Sequence, residues 1–212
     1  MTTERGVHHS EQLHRRAVWL ERFLVAYNLV EGAIAVTAGV IAGSVALVGF
    51  GFDSAIEVVA AGAVLWRLHT AGVEAGEEEH TRAEQRALLV VAATFVLLAL
   101  YIGIEAAASL ISAERPEDSL LGLGLAVASL IVMPSIAIAQ QRTGRQMDSD
   151  AMVADAAETW VCTYLSFALL AGVGLNLLLG WWWADPVAAL AMLPVVGWQA
   201  VAAYGEAREP RP

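Results

Sequence analysis

Long apolar runs dominate the chain, separated by short polar or glycine-containing links. A bilayer core of about 30 Å takes roughly 20 apolar residues in a helix that rises about 1.5 Å per residue. Six segments meet that measure, at about 23–43, 44–66, 87–112, 119–140, 151–179 and 185–204. They predict an all-α membrane protein with six transmembrane helices. Residues 1–16 read as a polar cytoplasmic tail, 17–205 as a six-helix transmembrane domain, and 206–212 as a short cytoplasmic tail. The link at Gly43-Ser44 is so short that the first two helices form an antiparallel hairpin, and Gly39 and Gly43 have the small-residue spacing that permits close contact. Pro134 predicts a kink in the fourth helix, its freed carbonyl covered by neighbouring helices. Trp181, Trp182 and Trp183 fall where the fifth helix leaves the membrane and suit the interfacial aromatic belt. The longest internal loop, 67–86, is rich in charge, including the run Glu77-Glu78-Glu79-His80. It reads either as a negative field drawing cations toward an inner vestibule or as solvated helix extensions.

Composition agrees with the pattern. The 212 residues are 58% hydrophobic and 16% charged, with mean hydropathy +0.59. That excludes an ordinary soluble domain. The net charge of −10 matters less than where the cations lie, since all twelve basic residues are arginine. With both termini cytoplasmic, eleven of them fall inside: Arg5, Arg15, Arg16, Arg22, Arg67, Arg82, Arg86, Arg142, Arg145, Arg208 and Arg211. Only Arg115 falls outside, so the positive-inside bias predicts that orientation. The arginines are scattered at membrane edges rather than gathered into a stripe, which argues against nucleic-acid binding. The first sixteen residues lack the pattern of a cleaved signal peptide, so the first span is expected to remain in the mature protein. His8, His9 and His14 offer weak metal capture at most, in a solvated tail. No Ser/His or His/Glu/His arrangement for hydrolysis is present, and the chain is not expected to be an enzyme.

The chemistry lies in acids placed inside apolar runs, where an ionisable side chain is costly and marks a functional site by default. Asp53 and Glu57 are one helical turn apart in the second span, and Glu158 and Cys162 are one turn apart in the fifth. Counting helix rise puts Asp53 roughly 14 Å and Glu57 roughly 20 Å below the outer face. Glu158 and Cys162 fall roughly 11 Å and 17 Å above the inner face. Asp53 is thus level with Cys162, and Glu57 with Glu158. Two antiparallel helices would offer four ligands to one divalent cation near the midplane. Carboxylates with a thiolate suit Zn²⁺ or Cd²⁺, whereas oxygen alone leans toward Mn²⁺ or Mg²⁺. Binding a dication displaces protons from such groups, so metal and protons compete for one site. The alternative is that these acids stay protonated and only hydrogen-bond neighbouring helices, and that Cys162 is a small buried apolar residue. Asn28 and Glu31 share a face of the first span, and Glu31 lies near the level of Glu57, as a supporting partner or proton acceptor. Asp155, one turn inward of Glu158, would line the inner access path or orient Glu158. Glu105 reaches toward water, and Asp185 before Pro186 reads as a structural cap of the sixth helix.

These motifs resemble the cation diffusion facilitator, or cation efflux, family of zinc and related metal transporters, as a short variant. Gly43-Ser-Val-Ala-Leu47 followed by Asp53-Ser-Ala-Ile-Glu57 is similar to the family's second-helix pattern. Asp155-Ala-Ala-Glu158-Thr-Trp-Val-Cys162 is similar to its fifth-helix pattern, and Trp182-Trp183-Ala-Asp185-Pro186 to its link into helix six. The resemblance implies a proton-coupled antiporter working by alternating access, with Asp53, Glu57, Glu158 and Cys162 at the ligand positions. The transported ion would be Zn²⁺ first, or Cd²⁺, Co²⁺, Fe²⁺ or Mn²⁺, with no prosthetic group. Glu158 and Cys162 replace the family's usual His and Asp, which leaves the metal open and allows that transport is lost. A membrane metal-binding accessory or sensor protein that does not transport is the second reading. The 212 residues hold no counterpart of the family's cytoplasmic α/β metal-binding domain, so a homodimer would form through the spans themselves. The expected setting is the bacterial inner membrane.

Overall fold

The computed structural model describes residues 2–70 and 77–208. Among them run six helices: α1 (Thr2–Ala42), α2 (Val45–Thr70), α3 (Glu77–Ser112), α4 (Leu120–Gln146), α5 (Asp150–Leu179) and α6 (Ala184–Arg208). Each contains a stretch long and apolar enough to cross a membrane, from Glu11–Ala42 at the start to Ala184–Gly205 at the end. The first helix begins well before the expected span, at Thr2, so the stretch read as a tail is its first turns. Over the stretch expected as a loop at 67–86, α2 continues to Thr70 and α3 starts at Glu77, and residues 71–76 lie outside the described residues. On the backbone these are the helix extensions foreseen as one of its two readings. The side chains of 67–86, His8 and His9 lie outside the described residues. His14 is exposed.

Local chemistry sets the helix ends. Ser119 caps α4 by accepting from Gly122 N at 3.0 Å, and Ser149 caps α5 from Met152 N at 3.4 Å. At the end of α5, Gly180 takes a left-handed φ of 67° and donates to Asn176 O at 2.8 Å, a conformation that favours glycine. Gly43 does the same service in the α1–α2 turn, with φ 65°. Pro134 lies inside α4 without ending it, and Pro194 lies inside α6.

The helices pack as a group of four and a pair. α1 lies against α2 and α4, α5 against α4 and α2, while α3 lies along α6. The α1–α2 seam is backbone-tight, but not through the expected glycine pair. A Cβ on Gly39 would lie 2.8 Å from Val48 N, and one on Gly51 2.8 Å from Val36 N, whereas nothing approaches Gly43. Gly43 therefore serves the turn, and Gly39 with Gly51 serves the contact.

One end of the bundle is knitted together across the short links. Glu117 N donates to Ala42 O at 2.7 Å, and Asn176 Nδ2 to Pro116 O at 3.1 Å. Asp185 is buried there, but it does not cap α6 as expected. Its carboxylate accepts from Val45 N at 2.9 Å, Ala46 N at 3.4 Å and the Ser44 hydroxyl, so it caps α2 from a neighbouring helix. Ser44 Oγ in turn accepts from Leu47 N at 3.1 Å. Trp181 and Trp183 stack at 5.1 Å between centroids, both partly exposed beside this end.

Candidate metal centre

Within the group of four helices, three ligand-bearing side chains meet. One ligand atom each from Asp53 and Glu57 on α2 and Cys162 on α5 lie within 4.8 Å of one another. Asp53 is 1% exposed, Glu57 5% and Cys162 0%. Helical spacing explains the first two, since residues four apart project from one face. On α5 the buried stripe runs through Asp155, Thr159, Cys162, Ser166 and Leu169, and this turns Cys162 directly toward α2.

What matters most is which atoms lack partners. Both carboxylate oxygens of Asp53 and Oε1 of Glu57 are buried with no hydrogen bond. A buried, unpaired carboxylate costs several kcal/mol unless a proton or cation compensates it. The remaining Glu57 oxygen accepts from Asn28 Nδ2 of α1 at 2.7 Å. Ser54 Oγ reaches Glu31 Oε2 at 3.1 Å, while Glu31 Oε1 and Asn28 Oδ1 stay unpartnered and buried. Ser166 of α5 bonds Ser129 of α4 at 2.9 Å, so all four helices contribute polar atoms around this level. The arrangement offers two carboxylates and a thiol converging on one point, with an amide holding one carboxylate in place. Such a set is chemically suited to a divalent cation of borderline softness.

Glu158 is placed differently from the expectation of four converging ligands. It is half-buried, on the flank of the α5 stripe, and its ligand atoms do not fall within the three-residue group. Asp155 lies nearer the start of α5 and is engaged elsewhere, by Gln140 of α4, whose amide also bonds Glu21 of α1. Glu105 is exposed. Glu21 and Gln140 are buried polar residues that the span boundaries had concealed. The signal was available, because Glu21 precedes Asn28 by seven residues and so shares its face.

The geometry can be set beside known proteins. Residues 23–209 match the cation efflux transmembrane domain. This chain belongs to the cation efflux family. As a member of that family it is a multi-pass membrane protein whose family transports metal cations. It is 29% identical over 172 residues to the uncharacterized transporter sll1263 of Synechocystis sp., a match covering 80% of this chain and 54% of that protein. It is 23% identical over 164 residues to transmembrane protein 163 of Xenopus laevis, covering 77% of this chain and 57% of that one. The chain thus spans about half the length of the curated relatives it matches.

Proposed function

We propose that this cation efflux protein is a proton-coupled antiporter that exports a divalent transition-metal cation, Zn²⁺ foremost, through a site made by Asp53, Glu57 and Cys162. Glu158 joins from the flank of α5 as the fourth ligand, and Asn28 and Glu31 support the site from α1. The observation that carries this reading is the set of buried carboxylate oxygens on Asp53 and Glu57 that have no hydrogen-bond partner and face a thiol. A dication would compensate them, and a mixed oxygen and sulfur set favours Zn²⁺ or Cd²⁺ over Mn²⁺ or Mg²⁺. Metal entry requires the carboxyls and thiol to release their protons, so an opposing proton gradient can drive export. The distribution of arginine supports cytoplasmic termini, which makes the Gly43, Glu117 and Gly180 end the outer one. The protein works in a bacterial inner membrane as a homodimer formed through its spans, without a prosthetic group and without enzymatic chemistry.

The test is metal-driven flux in proteoliposomes, with an internal pH dye reporting protons. Wild type should move Zn²⁺ against protons, and Asp53→Asn with Glu57→Gln should stop both while the protein stays folded. Undiminished flux in that double variant would end the proposal. A second reading, a membrane metal-binding accessory or sensor protein, is favoured by the position of Glu158 outside the three-residue group. Stoichiometric Zn²⁺ binding without flux would select it.

A further inference from the structure

A second buried polar group lies apart from the three candidate ligands. Asp155 precedes Cys162 by seven residues on α5, and Glu21 precedes Asn28 by seven on α1. Each step is about 10 Å along its helix, toward the end that carries the chain termini. Glu21 is 0% exposed, and Asp155, Gln140 and Thr159 are buried with it. The Gln140 amide nitrogen donates to Glu21 Oε1 at 3.1 Å and to Asp155 Oδ2, spending both of its N–H groups on the two acids. The Gln140 oxygen accepts from Thr159 Oγ1 at 2.9 Å, which fixes the amide in that orientation.

Those bonds leave Glu21 Oε2 buried without a partner and gather one oxygen of each acid around the same amide nitrogen. Two carboxylates held on one amide in a dry site resist being ionised together. The charged groups facing the pair do not relieve it. The nearest titratable groups along α2 and α5 are the acids Glu57 and Glu158, and α4 presents the neutral Gln140. The nearby arginines Arg22 and Arg142 are exposed. A proton on one of the two carboxyls would relieve the pair without any further ligand.

We propose that Glu21 and Asp155 form a proton-binding site, sharing one exchangeable proton between their carboxyls, with Gln140 holding both in register. The site stands between the candidate metal centre and the terminal end of the bundle. On the antiport reading, which this part alone rests on, it is a way station for the proton displaced by metal. As an O–H bond breaks at the metal centre, one forms in the pair, and the proton the pair already held leaves to water.

Infrared spectroscopy of the metal-free full-length chain in liposomes tests the pair directly, because a protonated carboxyl has its own C=O stretch. At neutral pH that band should be present and should persist in the Asp53→Asn, Glu57→Gln variant. Glu21→Gln should remove one carboxyl's worth of it, since the new amide can donate to Asp155 and no shared proton is needed. Asp155→Asn should do the same if Glu21→Gln fails to fold. A band unchanged in whichever of these variants folds would overturn the proposal. Because no flux is measured, failure of the antiport reading and failure of the proton site give different results. In flux assays the same variants should keep Zn²⁺ binding and lose proton-coupled transport, and a variant with wild-type coupling would reject the way-station role.

Discussion

Two buried aspartates act near α2, and they are treated in opposite ways. Asp185 at the start of α6 has its carboxylate filled by Ser44 and by the amides of Val45 and Ala46. Asp53, two turns into α2, has neither oxygen filled. Both are almost wholly buried, so burial alone does not separate them. What separates them is partnership. The donors that satisfy Asp185 are the free N–H groups of a helix start, which exist only there. Deeper in the helix every amide is already spent on the backbone, and an acid there must find a side chain, a proton or an ion. A filled acid holds a fold together; an unfilled one waits for something to arrive.

The contrast can be broken experimentally, and the sharpest blow falls on Asp53. Asp53→Asn should abolish metal transport while leaving thermal stability unchanged or improved, as read by flux and by unfolding in detergent. A destabilised but transporting variant would erase the distinction. Next in size, Asn28→Ala should weaken Zn²⁺ binding by about 10–100-fold, because outer partners of metal ligands act on that scale. Calorimetric titration would show it, and an unchanged affinity would mean that the bond to Glu57 is idle. Asp185→Ala should cost about 1–3 kcal/mol of stability by stranding buried donors, yet leave transport per folded molecule intact. A smaller effect is expected from Cys162→Ser, which should lower preference for Cd²⁺ over Mn²⁺ with little change in Mn²⁺ transport, measured by paired flux. Acidification provides a last refinement. Apparent metal affinity should fall as pH falls in the wild type, since protons occupy the same atoms, and a flat profile would remove the competition.

Much of this was legible in the sequence because membrane helices are specified by simple physics. An apolar run of bilayer length has few alternatives to a helix, so six runs became six spans. Asp53 and Glu57 were legible because four-residue spacing fixes a shared face whatever the surroundings. Glu158 was harder. Rise along a helix gives depth well, but rotation about its axis depends on which stripe packs inward. Asp155, Thr159, Cys162 and Ser166 form that stripe, which leaves Glu158 at its edge. The polar Thr159 and Ser166 at stripe spacing were the clue. Glu21 and Gln140 fell at the drawn limits of their spans, where an acid or an amide reads as a water-facing end residue. Asp185 was recognised as a cap, but a sequence cannot show that the helix being capped lies on another segment.

The glycine-lined seam has a mechanical corollary. With Gly39 and Gly51 bringing the first two helices into near backbone contact, sliding one past the other would drive Val48 and Val36 into main chain. α1 and α2 are therefore one stiff plank, carrying Asn28, Asp53 and Glu57 as a fixed set. Whatever gate admits or frees an ion has to work at the border with α5, where Cys162 and Glu158 draw near or withdraw.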